Sequence, residues 1–506
     1  MDCPQCENIL EEEVLICNFC GFSVQRTDNI LQMLSTQYAE TERPLNPQGE
    51  LTREFKPPLP IADKPSFRGL LVHSVLGEGA MGSAYLASHL ILQMPLVIKT
   101  FKTAEHWNVF NEAHLAARVV SPNVVGVIDA GVEKGVPFVI QRYMDGIDLA
   151  ELIKFMQEGN WHLPVNTVCL ILIDAAKGLH AIHQAGVIHR DVKPANLFLT
   201  GYGVTTVGDF GIAVDSARTK EEQLISGTPL FMPPEQWLQS EVGRYTDIYA
   251  LGATGHLLLT GKPPFEGRTR GELASAHIHQ SYQPPTKTSP AEAYLFSVIE
   301  RTLRKKTEER YQTGEALCRV LEVVAEPPPQ IVCTGQDEAR VGPLQIELTV
   351  GDLSASEGDV LVNAANSEMV MDLGVAAALK RVAGPEVEVE AMEQAPIPMG
   401  GVIWTGAGNL KARWLAHAVS AMSGAVCLQR CTLRTLLGAE IRRAKLIVFP
   451  ALGTGVGDVP MELAAKLTLE AIRTFASFQP KYVQNIRIVL LTNSGLSRWR
   501  MILRSI

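Results

Sequence analysis

No uninterrupted apolar run in this sequence approaches the ~18 residues that a membrane-spanning helix requires. Its opening, Met1-Asp2-Cys3-Pro4-Gln5-Cys6, carries neither the basic segment nor the apolar stretch of a secretory leader. Nor is there a surplus of positive charge. The formal net charge is −9, which argues against a chain that coats nucleic acid or an anionic membrane through bulk electrostatics. A disulfide framework is missing as well. Of nine cysteines, four cluster at the N-terminus, and Cys169, Cys318, Cys333, Cys427 and Cys431 stand singly among apolar residues, where buried thiols are commonest. These absences lead to the expectation of a cytoplasmic protein with no structural disulfides, no membrane association and no nucleic-acid partner. What is present is ordinary for a folded chain, 46% hydrophobic and 20% charged. The 506 residues suffice for two or three domains of roughly 100 to 200 residues each.

The N-terminal cysteines form two pairs, Cys3-Pro-Gln-Cys6 and Cys17-Asn-Phe-Cys20, separated by ten residues. Each pair can present two thiolates on one side of a tight turn, and together Cys3, Cys6, Cys17 and Cys20 make a tetrahedral sulfur set that suits a structural zinc ion. A redox dithiol is the alternative, but it calls for one pair beside a βαβ unit. The arrangement resembles a small zinc ribbon over residues 1–25. Residues 26–67 then hold Pro44, Pro47, Pro57, Pro58, Pro60 and Pro65 amid polar residues, the composition of a linker.

The stretch with most chemistry is His189-Arg190-Asp191-Val192-Lys193-Pro194-Ala195-Asn196, followed thirteen residues after Asn196 by Asp209-Phe210-Gly211. Phosphoryl transfer needs a base for the attacking hydroxyl, oxygen ligands for magnesium and cations for the phosphates, and this stretch holds all three. It resembles the catalytic and magnesium loops of eukaryotic-like (Hanks-type) Ser/Thr protein kinases. That resemblance implies that Asp191 orients the substrate hydroxyl, Lys193 steadies the γ-phosphate, and Asn196 and Asp209 hold Mg²⁺.

Upstream, Leu76-Gly77-Glu78-Gly79-Ala80-Met81-Gly82-Ser83-Ala84 follows an apolar run at Leu70-Leu71-Val72. A dinucleotide-binding loop would be followed at once by a helix, whereas Tyr85-Leu86-Ala87 and then Leu96-Val97-Ile98-Lys99 read as strands. The run therefore resembles a kinase glycine loop. Met81 stands where the family usually has an aromatic residue, and Ala84 where it usually has valine. The resemblance assigns Leu76, Gly77, Gly79, Gly82 and Ala84 to ATP, with Lys99 on the α- and β-phosphates and Glu112, or Glu105 in its place, as the partner of Lys99. Pro137-Phe138-Val139-Ile140-Gln141-Arg142 looks like the last strand of the small lobe, with Gln141 behind the adenine.

From Leu149 the pattern turns helical, with apolar residues from Leu170 to Ile182 at 3.6-residue spacing. Ser216, Thr219, Ser226 and Thr228 fall in the span that resembles an activation segment. Met232-Pro233-Pro234-Glu235 stands where the family has Ala-Pro-Glu, which implies a Glu235–Arg310 pair and an Asp247 that braces the catalytic loop. The phrase Pro-Pro-Glu-Gln resembles bacterial members. The kinase resemblance covers residues 68–325.

A proline break, Pro327-Pro328-Pro329, opens a linker over 326–342. Beyond it, Gly351-Asp352-Leu353, Val362-Asn363-Ala364-Ala365-Asn366 and Gly453-Thr454-Gly455-Val456-Gly457 each follow an apolar strand-like run, which reads as an α/β layer with a phosphate site at the strand ends. Residues 343–506 resemble macro domains, binders of ADP-ribose. The resemblance places Asp352 at the adenine, Asn363 and Asn366 at the distal ribose, Gly374 and Val375 in the first loop, and Gly453, Gly455, Val456 and Gly457 around the diphosphate. Met371-Asp372-Leu373 departs from the usual glycine run, and Ala376 stands where some ADP-ribosyl hydrolases have aspartate.

The fold class expected is thus multidomain α+β and α/β: zinc ribbon, bilobal kinase fold and macro-domain layer. The function expected is an ATP-dependent Ser/Thr protein kinase acting on protein substrates, with Mg²⁺ and structural Zn²⁺, whose macro domain binds ADP-ribose or ADP-ribosylated targets. A nucleotide-binding scaffold and an ADP-ribosyl hydrolase regulated by its kinase domain are the alternatives.

Overall fold

Among the described residues, eight short strands and a run of helices come first along the chain, and a second layer of eight strands and five helices follows. The structure, a computed structural model, describes residues 67–506 except 79–81, 90, 93, 102–105, 134, 210–228, 287, 421–424 and 456. All of these lie within one compact unit, Pro60–Ile506. Cys3, Cys6, Cys17 and Cys20, and with them the zinc ribbon and the first linker, lie outside the described residues.

The first five strands are β1 (Leu70–Glu78), β2 (Gly82–His89), β3 (Pro95–Phe101), β4 (Val127–Glu133) and β5 (Val136–Arg142), with helix α1 (His106–Ala117) between β3 and β4. They pair antiparallel in the order β1-β2-β3-β5-β4. Because strand side chains alternate between faces, Leu70 with Val72, Leu96 with Ile98, and Phe138 with Ile140 share one buried face.

A second, three-stranded sheet of β6 (Gly146–Asp148), β7 (Leu197–Thr200) and β8 (Thr205–Val207) lies among helices α2 (Leu149–Gly159), α3 (Val165–Gln184), α4 (Pro234–Trp237), α5 (Arg244–Thr260), α6 (Arg270–His279), α7 (Pro290–Thr302) and α8 (Gly314–Leu321). By length and composition α3 is apolar enough to cross a membrane, but 61% of that window is buried within the protein. Apolar residues all round a helix also mark the centre of a globular lobe, and α3 packs against α5, α8 and β8. Helix α7 begins where its sequence says it should: Ser289 caps Glu292 N, Glu292 reaches back to Ser289 N, and Pro290 fills the first turn.

The C-terminal layer contains β9 (Ile331–Cys333), β10 (Glu338–Val341), β11 (Leu344–Val350), β12 (Val360–Ala365), α9 (Gly374–Ala383), α10 (Glu386–Met392), β13 (Val402–Gly406), β14 (Trp414–Val419), α11 (Leu428–Ile441), β15 (Leu446–Pro450), α12 (Met461–Ser477), β16 (Asn485–Leu490) and α13 (Asn493–Leu503). The sheet order is β13-β14-β12-β15-β16-β11-β10-β9. Its middle strands are parallel and its edges antiparallel. Parallel strands are covered on both faces, which is why Val360-Leu361-Val362 and Ile447-Val448-Phe449 are unbroken apolar runs, all fully buried.

The span 326–342, expected to be a linker, instead contributes β9 and β10 to this sheet. Those strands are three and four residues long, too short for alternation to show in sequence. β10 becomes a strand by pairing with the edge of β11, and β9 by pairing with β10. One cluster of buried side chains runs from Leu149, Leu172 and Leu197 through Cys427 and Leu428 to Phe475, so the helical lobe and the C-terminal layer share a core.

Candidate active site

Gly77, Ala84 and Lys99 lie side by side on β1, β2 and β3. A Cβ added to Gly82 would overlap the carbonyl of Thr100, so only glycine lets β2 begin this close to β3. Leu76 is half-buried and Gly77 exposed. Gly79 lies outside the described residues. Glu112 is within α1, as expected for the Lys99 partner, but its side chain is outside what the structure describes, and so is Glu105. Lys99 forms an ion pair with Asp209. Burial pulls its ammonium pKa from 10.5 down to about 8, because a charge removed from water is disfavoured.

The catalytic loop hangs from a single carboxylate. Asp247 on α5 is 1% exposed; its Oδ2 accepts from His189 N (2.8 Å) and lies 2.7 Å from His183 Nε2, and its Oδ1 accepts from Arg190 N (2.8 Å). These bonds hold Arg190 at φ 66°, a left-handed conformation that a residue with a Cβ adopts only when its surroundings impose it. Gln236, not anticipated from sequence, adds a bond from Nε2 to Arg190 O at 2.9 Å. Its only signal was its place in Pro-Pro-Glu-Gln. His189 is buried, with Nε2 2.9 Å from Gly208 O, and desolvation lowers its pKa.

Within the loop, Lys193 Nζ donates to Asp191 Oδ2 at 2.7 Å. Asn196 Nδ2 donates to Asp191 O at 2.7 Å and to Asp191 Oδ2 at 3.1 Å. Asp191, Lys193 and Asn196 are thus one bonded group. Asn196 stands immediately before β7 and Asp209 two residues after β8, and Gly208 N donates to Asn196 O at 2.9 Å, so the β7–β8 pairing sets their spacing. Asp209 also has positive φ, 56°. A carboxylate and an amide whose nitrogen is already engaged leave oxygens for a hard cation, so Asn196 and Asp209 suit Mg²⁺. Among the described residues, no group of three or more His, Cys, Asp or Glu is gathered as metal ligands. Phe210, Gly211, Ser216, Thr219, Ser226 and Thr228 lie outside them.

Glu235 and Arg310 meet as expected: Nη1–Oε1 is 2.7 Å and Nη2–Oε2 2.9 Å, with the guanidinium fully enclosed. Gln141 is 2% exposed, and its Nε2 has no partner.

In the C-terminal layer, the carboxyl ends of the parallel strands β11, β12 and β15 lie at one edge of the sheet, which gathers Asp352, the loop from Asn366 to Gly374, and the loop from Gly453 to Gly457. Asp352 is exposed, and its Oδ1 accepts from Ser354 N (2.9 Å) and Ser354 Oγ (2.8 Å). Asn363, expected on the ribose side, is fully buried inside β12. Its Nδ2 lies 3.2 Å from His417 Nδ1, and its Oδ1 has no partner. β12 is covered on both faces, so Asn363 is enclosed beside His417 on β14.

Asn366 uses its side chain on its own loop, accepting from Glu368 N and Val370 N and donating to Val370 O. Lys380 bridges Asp372 (3.0 Å) and Glu388 (2.6 Å), and Glu388 accepts from Met371 N at 2.6 Å. The residues that replace the usual glycines are thereby tied to α9 and α10. Gly374 is exposed and Val375 half-buried. Gly453 is buried and Gly455 exposed, Gly457 is half-buried, and Asp458, next along the chain, is exposed. Val456 lies outside the described residues.

Residues 70–321 match the protein kinase domain family and residues 362–468 the macro domain family. Serine/threonine-protein kinase PknH of Mycobacterium tuberculosis is 34% identical over 264 residues, 50% of this chain and 41% of its own length. Serine/threonine-protein kinase PknB of Mycobacterium leprae is 30% identical over 271 residues, 51% of this chain and 43% of its own length. A probable serine/threonine-protein kinase of Clostridium perfringens is 32% identical over 262 residues, 50% of this chain and 38% of its own length. The chain therefore spans less than half the length of these relatives. It carries a protein kinase domain of the Hanks Ser/Thr type, followed by a macro domain.

Proposed function

We propose that this chain is an ATP- and Mg²⁺-dependent Ser/Thr protein kinase that transfers the γ-phosphate to protein hydroxyls. The observation that carries this reading is the bonded group Asp191–Lys193–Asn196 on a loop held by Asp247, with Lys99 and Asp209 paired beside it. When bound, Mg²⁺ would neutralise charge on the phosphates and be held by Asp209 and Asn196. Asp191 accepts or orients the hydroxyl proton, and Lys193, already 2.7 Å from it, supplies positive charge at the same place. Lys99 exchanges Asp209 for phosphate oxygens as the nucleotide enters. The test is transfer of labelled γ-phosphate to the chain itself or to a basic protein. Asp191→Ala should lower it at least ~100-fold, the usual contribution of a positioned base. Transfer undiminished by Asp191→Ala and Asp209→Ala would refute the assignment. ATP binding with no transfer by the unaltered chain would favour a nucleotide-binding scaffold.

A second reading concerns the macro domain. We infer that the edge bearing Asp352, the 366–374 loop and the 453–457 loop binds ADP-ribose or a related nucleotide and recruits the kinase to ADP-ribosylated targets. Three loops at the carboxyl ends of parallel strands support it. A ligand that prefers the native state raises the unfolding temperature, so ADP-ribose should raise it, less so in Asp352→Ala. Release of ADP-ribose from a modified protein would favour hydrolysis over binding. Zinc content of the purified chain, lost on replacing Cys3 and Cys6 by serine, tests the ribbon.

A further inference from the structure

The three-stranded sheet β6–β8 carries Asn196 at one strand end and Asp209 near another, and the macro domain contacts it at the start of β6 and at the β7–β8 turn. The contacts are specific. Asp145, immediately before β6, accepts from the first free backbone donors of α11, Gln429 N on Oδ2 and Arg430 N on Oδ1, both at 3.0 Å. Unsatisfied N–H groups at a helix start are suited to a carboxylate. One turn later Arg434 closes a two-pronged pair on Glu151 of α2, with Nε–Oε1 2.5 Å and Nη2–Oε2 2.7 Å.

The turn between β7 and β8 is gripped from both sides. Gly201 N donates to Asp145 O at 3.0 Å, and Gly201 O accepts from Thr474 Oγ1 of α12 at 2.7 Å. The side chain of Gln429 lies so close over Gly201 that a Cβ there would overlap it. Gln429 Nε2 in turn donates to Glu470 Oε2 at 3.2 Å, tying α11 to α12. Further along, Thr167 Oγ1 donates to Ser477 O at 2.5 Å and Trp161 stacks on Phe478 with centroids 6.2 Å apart. Thr474 and Gln429 are 4% and 1% exposed, and a polar group buried this deeply is destabilising once its partner is withdrawn.

We propose that the macro domain is a buttress of the kinase site, with Asp145, Gly201 and Gln429 as positioning residues that fix the β6–β8 sheet and through it the spacing of Asn196 and Asp209. None of these three touches the reacting atoms. The idea rests on the phosphoryl-transfer reading, and its test separates the two. In the full chain, Asp145→Ala and Gly201→Ala should speed hydrogen exchange of amides 197–208. They should also raise the Mg²⁺ concentration for half-maximal transfer and the KM for ATP by roughly fivefold or more, with a smaller change in kcat. Adding Gln429→Gly to Gly201→Ala opens the space and keeps the backbone bond from Gln429 N to Asp145 while losing the side-chain link to Glu470, so it should recover part, not all, of the change in all three quantities. Asp145→Asn, which keeps one acceptor, should lie between Asp145→Ala and the unaltered chain and serves if the alanine variant does not fold.

Exchange at the unaltered rate in folded variants overturns the buttress, and so does faster exchange with unchanged Mg²⁺ and ATP dependence. An unaltered chain that transfers no phosphate overturns the functional reading instead, and hydrogen exchange in Asp145→Ala and in the Gly201–Gln429 pair then decides the buttress alone.

Discussion

Replacing Glu235 should unfold this protein more readily than replacing any exposed carboxylate at a similar distance from its partner. Arg310 is fully enclosed, lies over the Tyr249 ring with its central carbon 4.7 Å from the centroid, and donates to Arg304 O, Lys305 O and Tyr245 O as well as to both Glu235 oxygens. Three carbonyls satisfy donors but cannot neutralise the cation. Glu235→Ala therefore strands a buried guanidinium, which destabilises by about 3–5 kcal/mol, a large share of the roughly 5–15 kcal/mol that separates folded from unfolded chains. The control is Glu300, paired with Arg304 at 2.9 Å but with both side chains substantially exposed. Water screens that pair, and Glu300→Ala should change stability by about 0.5 kcal/mol or less. In urea unfolding at ~3 kcal/mol/M, Glu235→Ala should lower the midpoint by roughly 1 M or more, and Glu300→Ala should barely move it. Glu235→Gln, which keeps the shape and one acceptor, should fall between them. Glu235→Leu with Arg310→Met should recover most of the loss, since an apolar pair leaves no orphaned charge. Equal midpoints for Glu235→Ala and Glu300→Ala would refute the reasoning.

Gln141 offers the opposite case. Its buried Nε2 has no partner, so Gln141→Met removes an unsatisfied donor of similar length and should stabilise the nucleotide-free chain by about 1 kcal/mol; a lower unfolding temperature would contradict this. Three buried histidines, His256, His277 and His417, are held neutral by desolvation, each with its pKa lowered from 6.5 to about 4. Between those values the unfolded chain binds protons that the folded chain refuses. Each histidine's contribution is therefore complete above pH 6.5 and is withdrawn, up to about 3 kcal/mol apiece, as pH falls toward 4. Stability measured from pH 7 to 4.5 should fall steeply, and His417→Gln should flatten the slope by close to one proton.

Much of the kinase site could be read along the chain because its chemistry is local. Asp191, Lys193 and Asn196 fall within six consecutive residues, and the hydrogen bonds among them span at most five. The Glu235–Arg310 pair and the Asp247 brace were anticipated through resemblance, and the structure brings both together. Asn363 shows where a motif stops short. Val-Asn-Ala-Ala-Asn marks the strand end, but which asparagine faces inward depends on the β12–β14 register, with Asn363 opposite His417.

By itself, then, the sequence determined the groups available for phosphoryl transfer, the strands and helices that carry them, and the two-domain order, since each depends on residue type and short spacing. Only the tertiary structure decided that 331–341 would join the macro-domain sheet and that Asp145 would meet the start of α11, 284 residues away. Both depend on which edge is left unpaired and which helix end lacks acceptors once the cores have packed. Those are properties of the assembled surfaces, and no short window of the chain contains them.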